Sequence, residues 1–381
     1  LRLLPSVCDS KLIQQTLITM HKVINFGSAL QAYALQKKVE DIGCKAEMID
    51  YKYPNAIHKD KVSFIGNFIK HLIHYINCAV VGFPNIRQTK RYKKVWKDYF
   101  HLSSKFYSTE QELKANCPKY DIYMTGSDQV WNSRFTKSDS SFLLEFAPEG
   151  KKKCAYSSSF AYDDIPNEYK FLYEKNLPKY AKISVREESG VRIVKDLINK
   201  EVPVVCDPTL LLSKEEWGEF ANGAKKYTKE PYILAYLLAY SFDPFPDVDF
   251  IVNEIQRQTG LKVIHLDAGR RDYFKPNSMV VKDAGPKEFV DLFMNAKFVI
   301  TTSFHGTVFS INFKKPFYSI IKDGNPDSRI SSILKLTGLE NRGIYANEKN
   351  ISTEGIDYSK PTEKLEEFRC YSIKYLKECL E

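Results

Sequence analysis

The stretch FVITTSFHGT at residues 298–307 joins an apolar run to a turn of small and hydroxylated residues. The apolar part predicts a β-strand over Phe298–Thr302, and residues 306–313 predict a short helix directly after the turn. Similar transitions recur through most of the chain; residues 15–20 predict a strand, for example, and residues 28–42 predict the helix that follows it. This β-α alternation is typical of a parallel sheet with helices on both faces.

The chain has 381 residues, which suits two domains better than one. We predict an N-terminal Rossmann-like domain over residues 12–212, with a helical insertion at about 64–100. A second doubly wound, Rossmann-like domain is predicted over residues 213–350. A final helix is predicted over residues 361–381 and is expected to pack back on the N-terminal domain. Two such domains leave a cleft at the carboxyl ends of both sheets, where open α/β sheets usually bind ligands.

Lys and Arg outnumber Asp and Glu by 56 to 47, which gives a formal net charge of +9. Much of the excess lies in residues 87–97, and this cluster fits either an anionic partner or a solvated helix face. The preceding residues 64–83 read FIGNFIKHLIHYINCAVVGF, and their polar positions argue against a membrane span. An interfacial helix that makes peripheral contact with a membrane would explain this pattern, and so would packing against the protein.

The eight cysteines contain no Cys-x-x-Cys pair, and no histidine stands at zinc-ligand spacing from one of them. Several lie in apolar, strand-like runs, which is typical of buried free thiols in a reducing compartment. The beginning of the chain has no basic stretch followed by a long apolar run. We therefore expect a cytoplasmic protein without a metal site, and contact with the inner face of a membrane stays open.

Four predicted strand ends carry residues that suit catalysis or anion binding. The first contains Asn25 and Gly27, directly before and within the start of a helix. Exposed amides at such a helix start can hold an anion or a sugar hydroxyl, so both residues are candidates for acceptor binding. A simple turn with an N-cap explains the same residues equally well. The second strand end is the polar run at residues 125–132.

In that second run, Asp128 and Gln129 are placed to bind sugar hydroxyls, and Ser127 stands beside them. Trp131 is a candidate to stack on a sugar face. The alternative is an Asx turn that caps a helix, with Trp131 in the hydrophobic core.

The third strand end carries Arg186, whose planar guanidinium suits a carboxylate or a phosphate, or forms a salt bridge with a neighbouring glutamate. The fourth carries His305, which can serve as a general acid or base near neutral pH. Arg329 opens a later helix and is a further candidate for anion contact. The remaining candidate site residues surround the histidine: Ser303, Phe304, Gly306 and Thr307.

Several well-known site classes are excluded by their missing motifs. The chain contains no G-x-x-x-x-G-K-[ST], H-E-x-x-H, G-x-S-x-G or protein-kinase signature. The first strand end has no G-x-G-x-x-G, and no aromatic-basic RNA motif occurs. We therefore expect neither a dinucleotide cofactor nor a nucleic-acid partner.

Taken in order, these segments resemble the polysaccharide pyruvyl transferase family. The matching segments lie at residues 25–35 (NFGSALQAYAL), 126–132 (GSDQVWN), 156–160 (YSSSF), 184–187 (SVRE), 207–211 (DPTLL) and 303–307 (SFHGT). The resemblance implies two Rossmann-like domains in the arrangement of B-type glycosyltransferases. It also implies phosphoenolpyruvate as donor, without a further cofactor, and a sugar of a surface polysaccharide or of its lipid-linked precursor as acceptor.

By this resemblance, His305 matches the family's active-site histidine and Arg186 its donor-binding arginine, while Asp128 is expected to orient or deprotonate an acceptor hydroxyl. Some members carry Arg-Leu-His-Gly at the turn, where this chain has Ser303 and Phe304 before the histidine. Arg329 is the candidate replacement for that arginine. Two other functions remain open: a glycosyltransferase that uses a nucleotide sugar, and a non-catalytic carbohydrate-binding relative.

Overall fold

The computed structural model describes residues 14–52, 84–239, 242–266, 276–324 and 327–381. Residues 64–83, for which an interfacial helix and packing against the protein were both considered, lie outside them. Among the described residues, no helix is long and apolar enough to cross a membrane.

Twelve strands and twelve α-helices are found in these ranges. The strands are β1 (Gln14–Ile18), β2 (Lys45–Tyr51), β3 (Leu102–Tyr107), β4 (Ile122–Thr125), β5 (Lys152–Ser158), β6 (Lys182–Val185), β7 (Tyr232–Tyr236), β8 (Lys262–Leu266), β9 (Ser278–Val281), β10 (Phe298–Thr301), β11 (Phe317–Ile321) and β12 (Gly343–Tyr345). The helices are α1 (Phe26–Asp41), α2 (Pro84–Tyr99), α3 (Glu110–Ala115), α4 (Ser133–Thr136), α5 (Asn167–Asn176), α6 (Glu188–Ile198), α7 (Lys214–Ala221), α8 (Val248–Thr259), α9 (Pro286–Asn295), α10 (Phe304–Asn312), α11 (Ser328–Thr337) and α12 (Ser359–Leu380).

The strands form two parallel six-stranded sheets with the same topology. The first has the order β3-β2-β1-β4-β5-β6 and the second the order β9-β8-β7-β10-β11-β12. Both are the 3-2-1-4-5-6 order of a doubly wound fold, so the predicted α/β class with two Rossmann-like sheets is confirmed. The strand order reverses between β1 and β4 in one sheet and between β7 and β10 in the other, and such switch points are where these folds bind ligands.

The central strands are apolar on both faces because helices cover both sides of each sheet. Every residue of β4, β7 and β10 is buried. Continuous apolar runs of this kind are typical of interior parallel strands. The predicted strand at Phe298–Thr302 is therefore observed, one residue shorter, as β10.

A shared aromatic core holds the two sheets together. Phe26 of α1 stacks on Phe289 of α9 with ring centroids 4.7 Å apart. Tyr33, two turns further along α1, packs on Phe220 of α7 at 4.5 Å. Because α1 follows the first strand of the first sheet while α7 and α9 flank the second sheet, these contacts place the starts of helices from both halves side by side.

The C-terminal helix α12 packs against the first sheet although it follows the second in the chain. The hydroxyl of Tyr375 donates to the carbonyl oxygen of Ala155 at 3.4 Å, and the amide of Cys206 donates to Ser372 Oγ at 2.9 Å. The Lys152 ammonium donates to the carbonyl oxygen of Glu378 at 3.1 Å. This helix therefore adds a connection between the two halves on the side of β5.

One predicted strand was wrong, and three of the four edge strands were missed. Residues 202–206 form a single parallel bridge between Val204 and Val185 instead of a strand. Pro203 has no amide hydrogen to donate, so the segment cannot continue the hydrogen-bond ladder at the edge of the sheet. The missed strands β3, β9 and β12 are edge strands, and their sequences lack the continuous hydrophobic run of the interior strands.

Candidate active site between the two sheets

The loops at the two switch points meet at the starts of α1 and α10. His305, in the first turn of α10, is 9% exposed and lies directly against the backbone of Gly27 in α1. A Cβ atom built on Gly27 would lie only 1.9 Å from Nδ1 of His305. The missing side chain at position 27 therefore allows the imidazole to reach the first sheet.

We expect Gly27→Ala to lower the free energy of unfolding by about 1–3 kcal/mol, because the new methyl group overlaps the imidazole. Gly218→Ala is a matched control within helix α7, where the added Cβ would make only an ordinary contact with Met294 at 3.7 Å. That control should gain about 0.5–1 kcal/mol from the better helix former. Urea denaturation measures both variants, and equal stability of the two would contradict the close approach of His305.

Arg186 follows β6 and is the cation at the centre of the site. Its side chain is 1% exposed, and its Nη1 donates to Asp207 Oδ2 at 2.9 Å. Its Nη2 lies 3.6 Å from Asp128 Oδ1, and its Nε lies 3.7 Å from Glu187 Oε2. The guanidinium is thus surrounded by three carboxylates but hydrogen-bonded to only one of them.

Asp207 connects the arginine to the histidine. Its Oδ1 accepts from the amide and the hydroxyl of Thr209 at 2.9 and 2.7 Å. Its Oδ2 accepts from Arg186 and, at 3.3 Å, from Ser127 Oγ, and it lies 3.6 Å from His305 Nε2. Complete burial opposes ionisation, but the proximity of His305 and the charge of Arg186 outweigh it and hold the pKa of Asp207 below its usual range.

Glu187 is buried beside Arg186 and has one well-satisfied oxygen. Its Oε1 accepts from Ser159 Oγ at 2.8 Å and from the amides of Phe160 and Ala161 at 3.0 and 3.2 Å. Burial raises the pKa of Glu187, although the charge of Arg186 opposes this shift. A carboxyl group with a raised pKa beside a cation is a common feature of functional sites.

Phe304 separates two arginines that come from different sheets. The guanidinium carbons of Arg186 and Arg329 lie 4.6 and 5.9 Å from the centre of its ring, close enough for cation-π attraction. Arg329 also holds Asp327 through two parallel hydrogen bonds. Burial favours the neutral guanidine, but Asp327 outweighs this effect and keeps the pKa of Arg329 above its usual range. The second arginine therefore enters the cluster from α11.

Asp128 follows β4 in a backbone conformation with φ of +73°, which non-glycine residues rarely adopt. Its Oδ2 accepts a hydrogen bond from Ser28 Oγ at 2.5 Å, so it is tied to the first turn of α1. Left-handed backbone at a non-glycine residue costs free energy and concentrates at functional sites. The turn thus directs the carboxylate toward Arg186.

Four helices begin at this cluster: α1, α6, α10 and α11. Two of these helices, α6 and α11, are in contact: the hydroxyl oxygens of Ser189 and Ser328 lie 3.3 Å apart. Each helix start carries a partial positive charge and amides that are not bonded within the helix. The arrangement therefore favours an anion despite the nearby carboxylates.

Four buried polar atoms of the cluster have no hydrogen-bond partner: Nε and Nη2 of Arg186, Oε2 of Glu187 and Nε2 of His305. An unsatisfied buried polar atom typically costs about 1–3 kcal/mol. Several such atoms in one place are typical of a functional site rather than of a structural core. Within the described part of the chain, no group of three or more His, Cys, Asp or Glu residues is arranged to hold a metal ion.

The structure corrects the predicted role of Trp131. This side chain is 1% exposed, and its Nε1 donates to the carbonyl oxygen of Phe142 at 3.0 Å. Its ring packs against Phe160 and Tyr180 in the core of the first sheet. The indole is therefore enclosed and cannot stack on a sugar, which favours the alternative interpretation of this position.

Several other candidates have structural partners. The side chains of Asn25 and Ser303 cap α1 and α10, and Gln129 accepts from Asn132 at 2.9 Å. The closely packed Gly306 faces Thr301, and the enclosed Thr307 hydroxyl bonds to Ser319 Oγ at 2.6 Å. Of the predicted donor-binding and acceptor-binding residues, Gly306 and Thr307 thus support α10 instead of facing a ligand.

Sequence reasoning placed His305, Arg186, Asp128 and Arg329 as candidates, and the structure brings them into one cluster. Sequence reasoning did not assign a catalytic or binding role to Asp207 or Glu187, although Asp207 contacts three of the side chains that meet there. An aspartate followed by proline and threonine after an apolar run was the available signal. The segment matches the family, but its pattern also fits an ordinary turn, so no role was assigned to Asp207.

Comparison with known protein families shows to which family this chain belongs. The family model described as polysaccharide pyruvyl transferase matches residues 25–323, which include every member of the cluster up to His305. The chain belongs to the polysaccharide pyruvyl transferase family. The resemblance drawn from the sequence segments is thereby confirmed, and this family member is an enzyme of the class that modifies polysaccharides. No match was found among curated protein sequences.

Two solved structures with similar folds are described as UDP-N-acetylglucosamine 2-epimerases. The UDP-GlcNAc 2-epimerase from Methanocaldococcus jannaschii aligns with a TM-score of 0.50 and 10% identity, over 93% of this chain and 91% of its own. A protein from Listeria monocytogenes described as a UDP-N-acetylglucosamine 2-epimerase aligns with a TM-score of 0.52 and 9% identity, over 87% and 89% of the two chains. At this identity the likeness shows the fold alone. The fold of this pyruvyl transferase family member is thus GT-B-like, with two Rossmann-like domains.

Proposed function

We propose that the enzyme transfers a pyruvyl group from phosphoenolpyruvate to a sugar of a surface polysaccharide, such as a capsule or exopolysaccharide, or to its lipid-linked precursor. The product is a cyclic ketal. The observation that carries this proposal is the convergence of the unpartnered atoms of Arg186 and His305 at the starts of four helices. Family membership supports the class of reaction.

The donor is a small, strongly anionic molecule, and the cluster has the donors that such a molecule needs. The free Nε and Nη2 of Arg186 form two neighbouring N–H groups, which suit a carboxylate or a phosphate. The helix starts add oriented amides without adding a mobile charge. Arg329, whose guanidinium carbon lies 5.9 Å from the centre of the Phe304 ring, supplies a second cation in place of the arginine that some members carry at position 303.

The proposed reaction has two bond-forming steps. In the first, a sugar hydroxyl adds to C2 of the enol phosphate while C3 receives a proton, so the carbon–carbon double bond becomes a single bond. In the second, the C2–oxygen bond to phosphate breaks, phosphate leaves with its electron pair, and a second hydroxyl of the same sugar adds to C2. The two hydroxyl protons account for the proton added to C3 and the one released.

His305 is the proposed acid that protonates C3 or stabilises the departing phosphate. Its imidazole is fixed on one side by Gly27 and faces Asp207 on the other at 3.6 Å. Fixing an acid in position makes the proton transfer effectively intramolecular. Asp128, tied to Ser28, is the proposed group that orients or deprotonates the acceptor hydroxyl.

Ligand-induced stabilisation tests the donor. Phosphoenolpyruvate at about one hundred times its Kd should stabilise the folded chain by about 2.7 kcal/mol, whereas UDP- and GDP-sugars at equal concentration should have little effect. The complementary assay measures phosphate release with a panel of hexose-terminated oligosaccharides, together with the mass of the acceptor. Stabilisation by a nucleotide sugar alone would favour a glycosyltransferase, and sugar binding without phosphate release would favour a non-catalytic relative.

A further inference from the structure

The candidate active site around Arg186, Asp207 and His305 is called the interdomain cluster below. A second concave site lies at the opposite end of α11 from it. This helix begins beside Arg329 and ends at Thr337, which separates its two ends by about 15 Å. The far end opens into a cavity of about 320 Å³ between the end of α11 and the beginning of α12. Its lining includes three cationic side chains, Arg342, Lys360 and Lys364, and one carboxylate, Asp357.

Arg342 is a cation of this cavity that contacts an aromatic ring. Its guanidinium carbon lies 5.6 Å from the centre of the Tyr318 ring, which restricts the orientation of the group. Its Nε is buried and has no hydrogen-bond partner. The side chain is therefore positioned by stacking and keeps a hydrogen-bond donor unsatisfied.

Lys360 and Lys364 are exposed residues one turn apart on α12, so their ammonium groups share one face. Like charges at this spacing repel each other and slightly destabilise the helix. No salt bridge joins either lysine or Arg342 to a carboxylate in the part of the chain that the structure describes. Asp357 Oδ1 accepts from the amide of Ser359 at 2.9 Å, and the carboxylate keeps its negative charge, so the lining carries three cationic groups against one anionic group.

We propose that this cavity binds a small polyvalent anion of the phosphate class, separately from the interdomain cluster. Arginine contributes a directional N–H group, and the two lysines contribute charge that a bound anion would neutralise. The position of Lys364 beside Gly338, at the end of α11, also suits a contact with the last carbonyl groups of that helix. That contact would account for the position of Lys364, but not for the presence of Lys360 and Arg342 in the same cavity lining.

Competitive lysine labelling tests the proposal on the unmodified protein. The chain is acetylated to low conversion with increasing orthophosphate, phosphoenolpyruvate or, at matched ionic strength, sodium chloride, and the rate at each lysine is read by mass spectrometry. At ten times Kd about one eleventh of the sites are free, so labelling of Lys360 and Lys364 should slow about tenfold. Lys374 and Lys377, exposed on the same helix, are the internal controls and should keep their rates.

Protection by orthophosphate identifies the phosphate group as sufficient, and protection by phosphoenolpyruvate alone assigns the site to a phosphorylated carboxylic acid. Arg342→Gln should raise the half-protecting concentration about tenfold, because a charge-assisted hydrogen bond is lost. Equal slowing at all four lysines, or the same slowing in sodium chloride, reflects charge screening and overturns the proposal. The interdomain cluster contains no lysine among its described members, so anion binding there does not affect this readout.

Discussion

His305→Asn is expected to lower kcat for pyruvyl transfer by about 100- to 10,000-fold, the usual contribution of a general acid or base. The affinity for phosphoenolpyruvate should change much less, because Arg186 and the helix starts remain in place. Asparagine keeps a polar group at the start of α10 but cannot donate a proton to carbon near neutral pH. Steady-state phosphate release measures kcat, and ligand-induced stabilisation measures donor affinity separately.

His21→Asn is the matched control for that substitution. His21 is also buried near the end of a strand of the first sheet, but both of its ring nitrogens have partners, the carbonyl oxygen of Thr19 at 3.0 Å and Asp50 Oδ1 at 3.4 Å. Its replacement should lower stability and leave kcat within about tenfold, since a satisfied buried histidine is most often structural. Equal kcat in the two variants would remove His305 from the proposed mechanism.

Asp207→Asn is expected to lower the free energy of unfolding by about 3–5 kcal/mol, the usual result of removing one partner from a buried ion pair. The substitution leaves Arg186 buried without its hydrogen-bonded carboxylate and removes the group that faces His305. Asp163→Asn is the control, because Asp163 pairs with Arg192 at 3.5 Å on the surface and should contribute about 0–1 kcal/mol. Urea denaturation at neutral pH compares the two, and equal losses would contradict a central role for Asp207.

Asp207→Asn is also expected to change how the free energy of unfolding depends on pH in the acid range. The pKa of Asp207 is held below its usual range in the folded chain, so its contribution is complete above the unfolded pKa of about 3.9. The contribution is lost as the pH falls below that value toward the lower folded pKa. Below about pH 4, the wild type should therefore lose stability more steeply than Asp207→Asn does. Parallel slopes in that range would show that the carboxylate is not stabilised in the folded state.

The interior strands were predictable because their signal is local. A buried parallel strand is apolar along almost its whole length, as in β7 and β10, and that property can be seen in four or five consecutive residues. The edge strands β3, β9 and β12 lack it, since solvent or loops face part of their surface. At residues 202–206 a strand was predicted that does not form. The segment is apolar, but Pro203 and the position beside the edge strand β6 leave only a single bridge.

The role of a buried side chain was less predictable than its position. Trp131 lies at a strand end as predicted, yet its ring points into the core instead of toward the cleft. Asp207 belongs to an ordinary-looking turn, and its importance depends on Arg186, twenty-one positions earlier, and on His305 from the other sheet. Neither contact leaves a pattern in consecutive residues.

By itself, the sequence determined the doubly wound class, the strand ends at which Asp128, Arg186 and His305 stand, and the family. These depend on hydrophobic periodicity and short motifs, which act over a few residues. Only the tertiary structure decided that these side chains form one cluster, because the contact of α1 with α9 and α10 places Gly27 against His305. It also decided that Asp207 joins them and that Trp131 does not, since both outcomes depend on burial and on charges brought together from distant parts of the chain.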